Sequence, residues 1–310
     1  MPIIDSYEVD SEALFQGAQG TVFPAVSLTT NQRVAVKTYS TKLLDAFRRE
    51  IYFYSQLQDA QHCLRVHDYF VHHQCGYLVM DLLKTDVLEE VTRLGSIPEK
   101  RCKKIFRDVC MGLKECHEQD FAHLDIKPDN ILLDEDDNAY LCDFGNSAAG
   151  LKTKLTGKRG THTYAPPEVQ LGNAFQPDQV DSWSLGATLY VMLTGYFPVE
   201  CPSHHLEEQS VVVKMMMNIL RKARVSSACI DLMGRLMSID PLQRPSVDEI
   251  LRHPWLNRSA ARPIARLMRK AKTLASLPGG HQRRPDYQIS TSPSWRPEGG
   301  LRASRENLPA

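Results

Sequence analysis

The alternation of apolar and polar positions divides the chain into a β-rich part, an α-rich part and a tail. Between about residues 7 and 38 the apolar residues fall in short β-branched runs, Thr21-Val22-Phe23 and Arg33-Val34-Ala35-Val36-Lys37. Thr29-Thr30-Asn31-Gln32 separates them. Runs of this kind bounded by turn residues predict strands joined as a hairpin. The period then changes. Leu44, Phe47, Ile51, Tyr54 and Leu57 recur at helical spacing over 43–58, with charges on the opposite face, which predicts an amphipathic helix. Strands are expected again over 64–71 and 76–80. A helix is expected from Pro98 to Gln119, with Pro98 near its start. Short strands at 131–133 and 139–141 and a mostly helical remainder to Trp255 complete the pattern. A β-rich first third followed by an α-rich remainder predicts an α+β molecule of two lobes with a cleft between them.

After Trp255 the composition shifts. Residues 258–310 hold eleven Lys or Arg against three Asp or Glu, so a net charge of zero hides a basic tail on an acidic body. Ile264, Leu267, Met268, Ala271, Leu274 and Leu277 fall on one helical face, with Arg266, Arg269, Lys270 and Lys272 around it. A basic amphipathic helix is therefore expected over 262–277, followed by a disordered segment from about 278. Such a tail can stay solvated, pack on its own body, or meet an acidic partner or an anionic surface. The hydrophobic fraction of 42% and charged fraction of 24% are ordinary for a soluble globular chain. No apolar run approaches the roughly 18 residues of a membrane span. The opening Met1-Pro2-Ile3-Ile4 predicts neither a secretory signal nor myristoylation. The eight cysteines are scattered without a Cys-x-x-Cys pair, which argues against zinc and disulfides and for a reducing cytoplasm or nucleus.

The chemistry concentrates in His123-Leu124-Asp125-Ile126-Lys127-Pro128-Asp129-Asn130, followed by Asp143-Phe144-Gly145. Phosphoryl transfer needs an acidic group to orient a hydroxyl, a cation to balance the moving phosphate and hard oxygen ligands for Mg²⁺. This stretch supplies all three. It resembles the catalytic and metal-binding loops of eukaryotic protein kinases, and further motifs of that family stand in the same order along the chain. The resemblance covers about residues 7–255. It implies a small lobe over about 7–80, a large lobe over about 84–255, and the tail as an appendage.

The resemblance also implies roles. Asp125 is the expected catalytic base or hydroxyl-orienting residue, and Lys127 the cation facing the γ-phosphate. Asn130 and Asp143 are the expected Mg²⁺ ligands. Phe15-Gln16-Gly17-Ala18-Gln19-Gly20-Thr21-Val22 is similar to the glycine-rich phosphate loop, with Phe15 in place of the first glycine. Gly17 and Gly20 would let backbone N–H groups approach phosphate oxygens. Lys37 would contact the α- and β-phosphates and pair with Glu50. That pair is expected to be exposed, so that its loss costs activity far more than folding. Met80 would stand behind the adenine, with backbone groups of Asp81 and Leu83 on the purine and Val22, Ala35 and Leu132 enclosing it. Val66, Tyr54, Phe144 and His123 would stack through both lobes above Asp181.

The segment Gly160-Thr161-His162-Thr163-Tyr164-Ala165-Pro166-Pro167-Glu168 resembles the end of an activation segment. Thr161 is expected to contact Asp125 and Lys127. Glu168 is expected to pair with Arg244 as a buried structural bridge, and Asp181 to brace the catalytic loop. His253-Pro254-Trp255 resembles the close of the domain. The family usually carries Arg where this chain has Leu124, and that Arg pairs with a phosphate on the activation segment. Leu cannot, so independence from phosphorylation at Thr153 or Thr156 is expected. Cys142 is either an inert buried residue or a thiol facing the nucleotide pocket. Glu89, Glu90 and Asp129 are candidates for favouring basic substrates.

The expected activity is ATP-dependent transfer to Ser or Thr of proteins, with ATP and Mg²⁺ and no nucleic-acid partner. The alternatives are a pseudokinase scaffold and a small-molecule kinase of similar fold. The retained Lys37, Asp125 and Asp143 speak against the first. The peptide-platform segment around Thr161 speaks against the second.

Overall fold

A computed structural model describes residues 2–17, 19–198 and 206–257. The expected tail helix over 262–277 and the segment beyond it lie outside the described residues. The β-branched runs form a curled antiparallel sheet. Its strands are β1 (Ile3–Ile4), β2 (Tyr7–Val9), β3 (Phe15–Gly17), β4 (Gly20–Ser27), β5 (Arg33–Tyr39), β6 (Val66–His72) and β7 (Cys75–Asp81), in the order β1-β2-β4-β5-β7-β6, with β3 paired to β4. Side chains alternate across a strand, and the two faces of β5 differ accordingly. Val34 and Val36 face a cluster of Tyr7, Val9, Ala25 and Val79, where Phe70 stacks between Tyr7 and Tyr77. Ala35, Lys37 and Tyr39 face the other way, toward the helix and the cleft.

The register sets what those residues meet. Phe15 pairs with Val22, Val22 with Lys37, and Ala35 with Met80. Directly paired residues share a face, so Phe15, Val22 and Lys37 form one row under the sheet.

Helix α1 (Leu44–Ser55) buries Phe47, Glu50, Phe53 and Tyr54. The expected face was Leu44, Phe47, Ile51, Tyr54 and Leu57. Leu44 and Ile51 instead sit at the rim and Leu57 lies past the last turn. The buried face is shifted toward Glu50 and Phe53, so that a charged residue lies in the interior. Phe47 rests on Gly76, where a side chain would collide with the ring at 2.7 Å.

The remainder is mainly helical. A two-residue strand β8 (Thr85–Asp86) leads into α2 (Val87–Leu94) and the long α3 (Glu99–Glu118), whose N-cap is Pro98. The short strand β9 (Phe121–Ala122) precedes β10 (Ile131–Leu133) and β11 (Ala139–Leu141), which pair with β8 as one small sheet. β12 (Ala148–Ala149) pairs back with β9. Then follow α4 (Pro167–Gln170), α5 (Pro177–Thr194), α6 (Leu206–Lys222), α7 (Ser227–Leu236) and α8 (Val247–Arg252). α5 is buried along nearly its whole length, including its polar Gln179, Asp181, Ser182 and Ser184. One core cluster runs from Tyr39 and Phe47 in the sheet lobe to Leu232 and Trp255 in the helical lobe, so the two lobes share packing. Among the described residues no helix is long and apolar enough to cross a membrane.

Candidate active site

Three elements bring the predicted charges together. β5 presents Lys37, α1 presents Glu50, and the loop after β11 presents Asp143. Lys37 Nζ donates to Glu50 Oε2 at 2.8 Å, to Oε1 at 3.1 Å and to Asp143 Oδ1 at 2.9 Å. Tyr39 Oη donates to Glu50 Oε2 at 2.6 Å. The pair is not exposed as expected: Lys37 is 7% and Glu50 1% exposed. Burial alone would lower the Lys37 pKa, but the carboxylates of Glu50 and Asp143 outweigh it and raise it. For Asp143 burial acts upward, and the Lys37 ammonium overrides it and holds the pKa below its usual value. Glu50 goes the other way, raised by burial against the pull of Lys37.

Asp143 has a left-handed backbone, with φ of 64°. Its N–H donates to Tyr54 Oη at 3.3 Å. This turn sends Phe144 inward, where its ring lies 4.8 Å from Tyr54 and 5.0 Å from His123. His123 in turn reads out its own tautomer. Cys142 O can only accept, and it lies 3.0 Å from Nε2. Nδ1 accepts from the Asp125 N–H at 3.2 Å. The proton therefore sits on Nε2. Below, the fully buried Asp181 accepts from the backbone N–H groups of His123 at 2.9 Å and Leu124 at 2.7 Å, and from His117 Nε2 at 3.0 Å. The expected stack of Tyr54, Phe144 and His123 over Asp181 is present, with Val66 against the same core.

Asp125 is held from three directions. Its Oδ1 accepts from Thr161 N at 2.8 Å. Its Oδ2 accepts from Asn130 Nδ2 at 3.3 Å and Asn146 Nδ2 at 3.2 Å, with Lys127 Nζ 3.4 Å away. Lys127 Nζ also donates to Thr161 Oγ1 at 2.9 Å. Gly160 makes this approach possible. Its φ is +67°, and a Cβ there would lie 2.2 Å from Leu124 O. The Cys142 N–H donates to Asn130 O at 3.1 Å, which ties the segment carrying Asp143 to the loop carrying Asn130.

The donor set suits a hard divalent cation. Among the described residues Asp143 Oδ2 and Asn130 Oδ1 carry no hydrogen bond, whereas Asp143 Oδ1 and Asn130 Nδ2 are engaged. One carboxylate and one amide oxygen, completed by phosphate and water, is a Mg²⁺-type arrangement. No cluster of three or more His, Cys, Asp or Glu with metal-binding geometry occurs among the described residues, so a cage made only of side chains of those four types is not what the site offers.

The nucleotide-facing wall follows from the register. Met80 is buried, and Val22, Ala35 and Leu132 belong to or pack against the shared core. The Asp81 N–H donates to Arg65 O at 3.1 Å and its carboxylate meets His67 Nε2 at 2.6 Å. The Asp81 N–H is thus already engaged, whereas Leu83 makes no backbone bond among the described residues. Gly20 has φ of +127°. Phe15 is 53% exposed and lies over Gly17, where a Cβ would stand 2.7 Å from its ring. Gln19, unremarked in the sequence, lies against Gly145. Cys142 is buried, and burial pushes its thiol pKa well up, which suits the inert alternative.

Glu168 and Arg244 pair as expected, in bidentate geometry at 2.5 and 3.0 Å. Arg244 also donates to Ser238 O and Gln179 O and lies over the Trp183 ring. Leu124, with φ of 63°, packs in an apolar cluster with Ala122, Ala165, Val169, Phe175 and Val180, against which Leu151 and Leu155 rest. Of the acidic candidates near the cleft, Glu90 is otherwise engaged. It pairs with Arg93 at 2.9 Å and Arg101 at 2.5 Å. Asp86, not singled out in the sequence, lies within electrostatic reach of Asp129. Burial raises its pKa to about 6, and Asp129 adds to the rise. Asp129 is itself raised by burial. A hollow of about 690 Å³ between α6 and α7, lined in part by Met217, Ile230 and Arg235, contains none of the predicted residues.

Comparison with known proteins places this geometry. The family model described as a protein kinase domain matches residues 9–256. Testis-specific serine/threonine-protein kinase 1 of Mus musculus is 33% identical over 72% of the chain and 60% of its own length. The Homo sapiens protein of the same name is 31% identical over 93% of the chain and 78% of its own length. Serine/threonine-protein kinase PEPKR2 of Arabidopsis thaliana is 30% identical over 82% of the chain and 54% of its own length. The chain thus spans between about half and four fifths of these relatives.

Proposed function

The chain belongs to the protein kinase family, and on that premise we propose that it transfers the γ-phosphate of ATP to serine and threonine hydroxyls of proteins. The observation that carries the proposal is the convergence of Lys37, Asp143 and the Asp125–Lys127–Thr161 group on one cleft. Asp125 orients the attacking hydroxyl and takes its proton. Its two oxygens are fixed by neighbouring N–H groups, so little reorganisation is needed as charge moves. Lys127 lies beside it and balances charge on the transferred phosphoryl group. Lys37 holds the remaining phosphates, and Glu50 positions it. Asp143 and Asn130 would hold Mg²⁺, which when bound neutralises phosphate charge. Phe15, Gly17, Gly20, Val22, Ala35, Met80 and Leu132 enclose the nucleotide, and the Asp81 carbonyl and Leu83 backbone meet the purine.

Two finer readings accompany this one. First, Asp86 and Asp129 select basic residues on one flank of the substrate. Second, the kinase works without a phosphate on Thr153 or Thr156. In support, the Leu124 cluster holds Leu151 and Leu155 by apolar contact, where a charge pair would otherwise be needed. The basic tail, by its charge, suits an acidic partner or the chain's own body.

Incubation of the chain with Mg-ATP and a generic basic protein tests the main proposal. Phosphate on Ser or Thr, lost in Asp125→Asn, supports it. ATP binding without transfer supports the scaffold reading.

A further inference from the structure

We propose that Lys158 and Arg159, with Lys154 beside them, form a specificity site that takes an acidic side chain of the protein substrate. It lies on the flank opposite the one that meets Asp86 and Asp129. The proposal rests on the kinase reading above and adds a second chemical requirement to its substrate.

The charge pattern comes first. Residues 151–163 contain Lys152, Lys154, Lys158, Arg159 and His162 and no Asp or Glu. Lys152 is engaged with Asp178. Lys154 and Lys158 are exposed and Arg159 half-buried. None of these three has a carboxylate partner among the described residues. A concentration of like charge costs self-repulsion, and within this tract the Lys152–Asp178 pair offsets part of it.

The tract is also held in place. At one end Leu155 and Phe175 exchange two backbone hydrogen bonds of 2.9 Å. At the other end Gly160 touches Leu124 O and stands beside Asp125 Oδ1, and Thr161 N bonds that same oxygen. Gly157 and Gly160, with φ of +88° and +67°, bracket Lys158 and Arg159, so the pair sits between two left-handed positions. Successive Cα atoms are about 3.8 Å apart, which keeps the Lys158 Cα within about 8 Å of Gly160. The cations are thus anchored next to the site of transfer, on a backbone whose shape is set by contacts with that site.

Lys127 marks the boundary between two fields. It bonds Thr161 on the cationic side, and its charge acts on Asp129 on the anionic side. Asp129 in turn acts on Asp86. Charge therefore runs from negative at Asp86 and Asp129 to positive at Lys158 and Arg159. A substrate complementary to that gradient carries a base on one side of its Ser or Thr and an acid on the other.

The test uses the full chain and a set of Ser peptides with bases on one flank and Glu or Ala scanned along the other, in both orientations. Glu should raise kcat/KM over Ala by about 2- to 10-fold, as two exposed ion pairs can supply. The gain should shrink as ionic strength rises. The ratio should fall to about one in K158A/R159A. In K158E/R159E the preference should reverse to Lys, an outcome a merely structural role does not produce. Fluorescence anisotropy with the same peptides carrying Ala for Ser reads the preference in binding even if no transfer occurs, which separates this proposal from the kinase reading. A wild-type Glu-to-Ala ratio near one in both assays overturns it. So does an equal loss on both peptides in the variants, or a preference that disappears when the wild type is dephosphorylated at Thr153 and Thr156. In the last case the cations serve a phosphate on their own segment.

Discussion

Two of the buried ion pairs among the described residues are built to opposite ends. Arg244 with Glu168 is saturated. Its guanidinium spends its N–H groups on a bidentate carboxylate and two backbone carbonyls, and its face lies on Trp183. Lys37 with Glu50 is left open toward the cleft. The same ammonium reaches Asp143, and the second Asp143 oxygen has no partner among the described residues. A saturated pair holds elements together. An open one has a coordination position to give to a ligand. The difference also extends to protons. Glu50 can take one up, because burial already raises its pKa, whereas Arg244 cannot give one away.

Breaking the open pair should therefore show mainly in catalysis. In Lys37→Met, kcat should fall by about 10²–10³, the range for loss of one preorganised electrostatic contact. Steady-state assays with Mg-ATP against wild type, together with a thermal melt, check this. A loss of activity matched by wholesale unfolding would contradict the distinction.

Breaking the saturated pair should show mainly in stability. Glu168→Ala leaves the guanidinium of a residue only 4% exposed without its carboxylate, at a cost of about 3–5 kcal/mol. Urea unfolding of the two proteins measures it. A change below about 1 kcal/mol, the range of an exposed pair, would mean that Gln179 and Ser238 carry the charge alone.

The two variants should also part company with pH. Without Lys37, only the Tyr39 hydroxyl opposes the burial that raises the Glu50 pKa, so the folded state takes up a proton before the unfolded state does. Stability then rises as pH falls through that raised value. Lys37→Met should regain stability relative to wild type as the pH is lowered from neutrality. Glu168→Ala, whose orphan is an arginine, should show no such recovery. Parallel melts across that range decide it.

What could be read beforehand follows the same division between local and distant causes. Lys37, Asp125, Asn130 and Asp143 were legible because their spacing along the chain is itself the motif. Asp181, Glu168 and Arg244 came with the same resemblance. Tyr39 was missed although the signal was present: it stands two residues after Lys37 on the same strand face and so looks at Glu50 too. Asn146, Tyr54 Oη and His117 left no such trace. Each acts on a residue brought near by a turn or a helix from elsewhere in the chain. The burial of the Lys37–Glu50 pair is not legible for a related reason. The helical period locates α1, but which of its sides is buried depends on contacts with distant strands, among them that of Phe47 with Gly76. In the sequence Leu124 shows only as the absence of an Arg. That it centres an apolar cluster with Phe175 and Val180 depends on contacts some fifty residues away.

The smallest expected effect concerns the acidic flank, where the open design meets the substrate. Asp86 is ionised only above about pH 6, because burial and the neighbouring Asp129 both disfavour its charge. The advantage of a basic peptide over a neutral one should accordingly hold at pH 7.5 and decline by about 2- to 5-fold on acidification through pH 6, the size of one partly screened ion pair. Taking the ratio of kcat/KM for the two peptides removes the pH dependence of the transfer step that both share. Asp86→Asn should flatten that ratio across the whole range while retaining the hydrogen bond its side chain accepts from Glu89 N. A ratio that declines equally in Asp86→Asn would move the titration to Asp129, whose carboxyl is raised by burial as well.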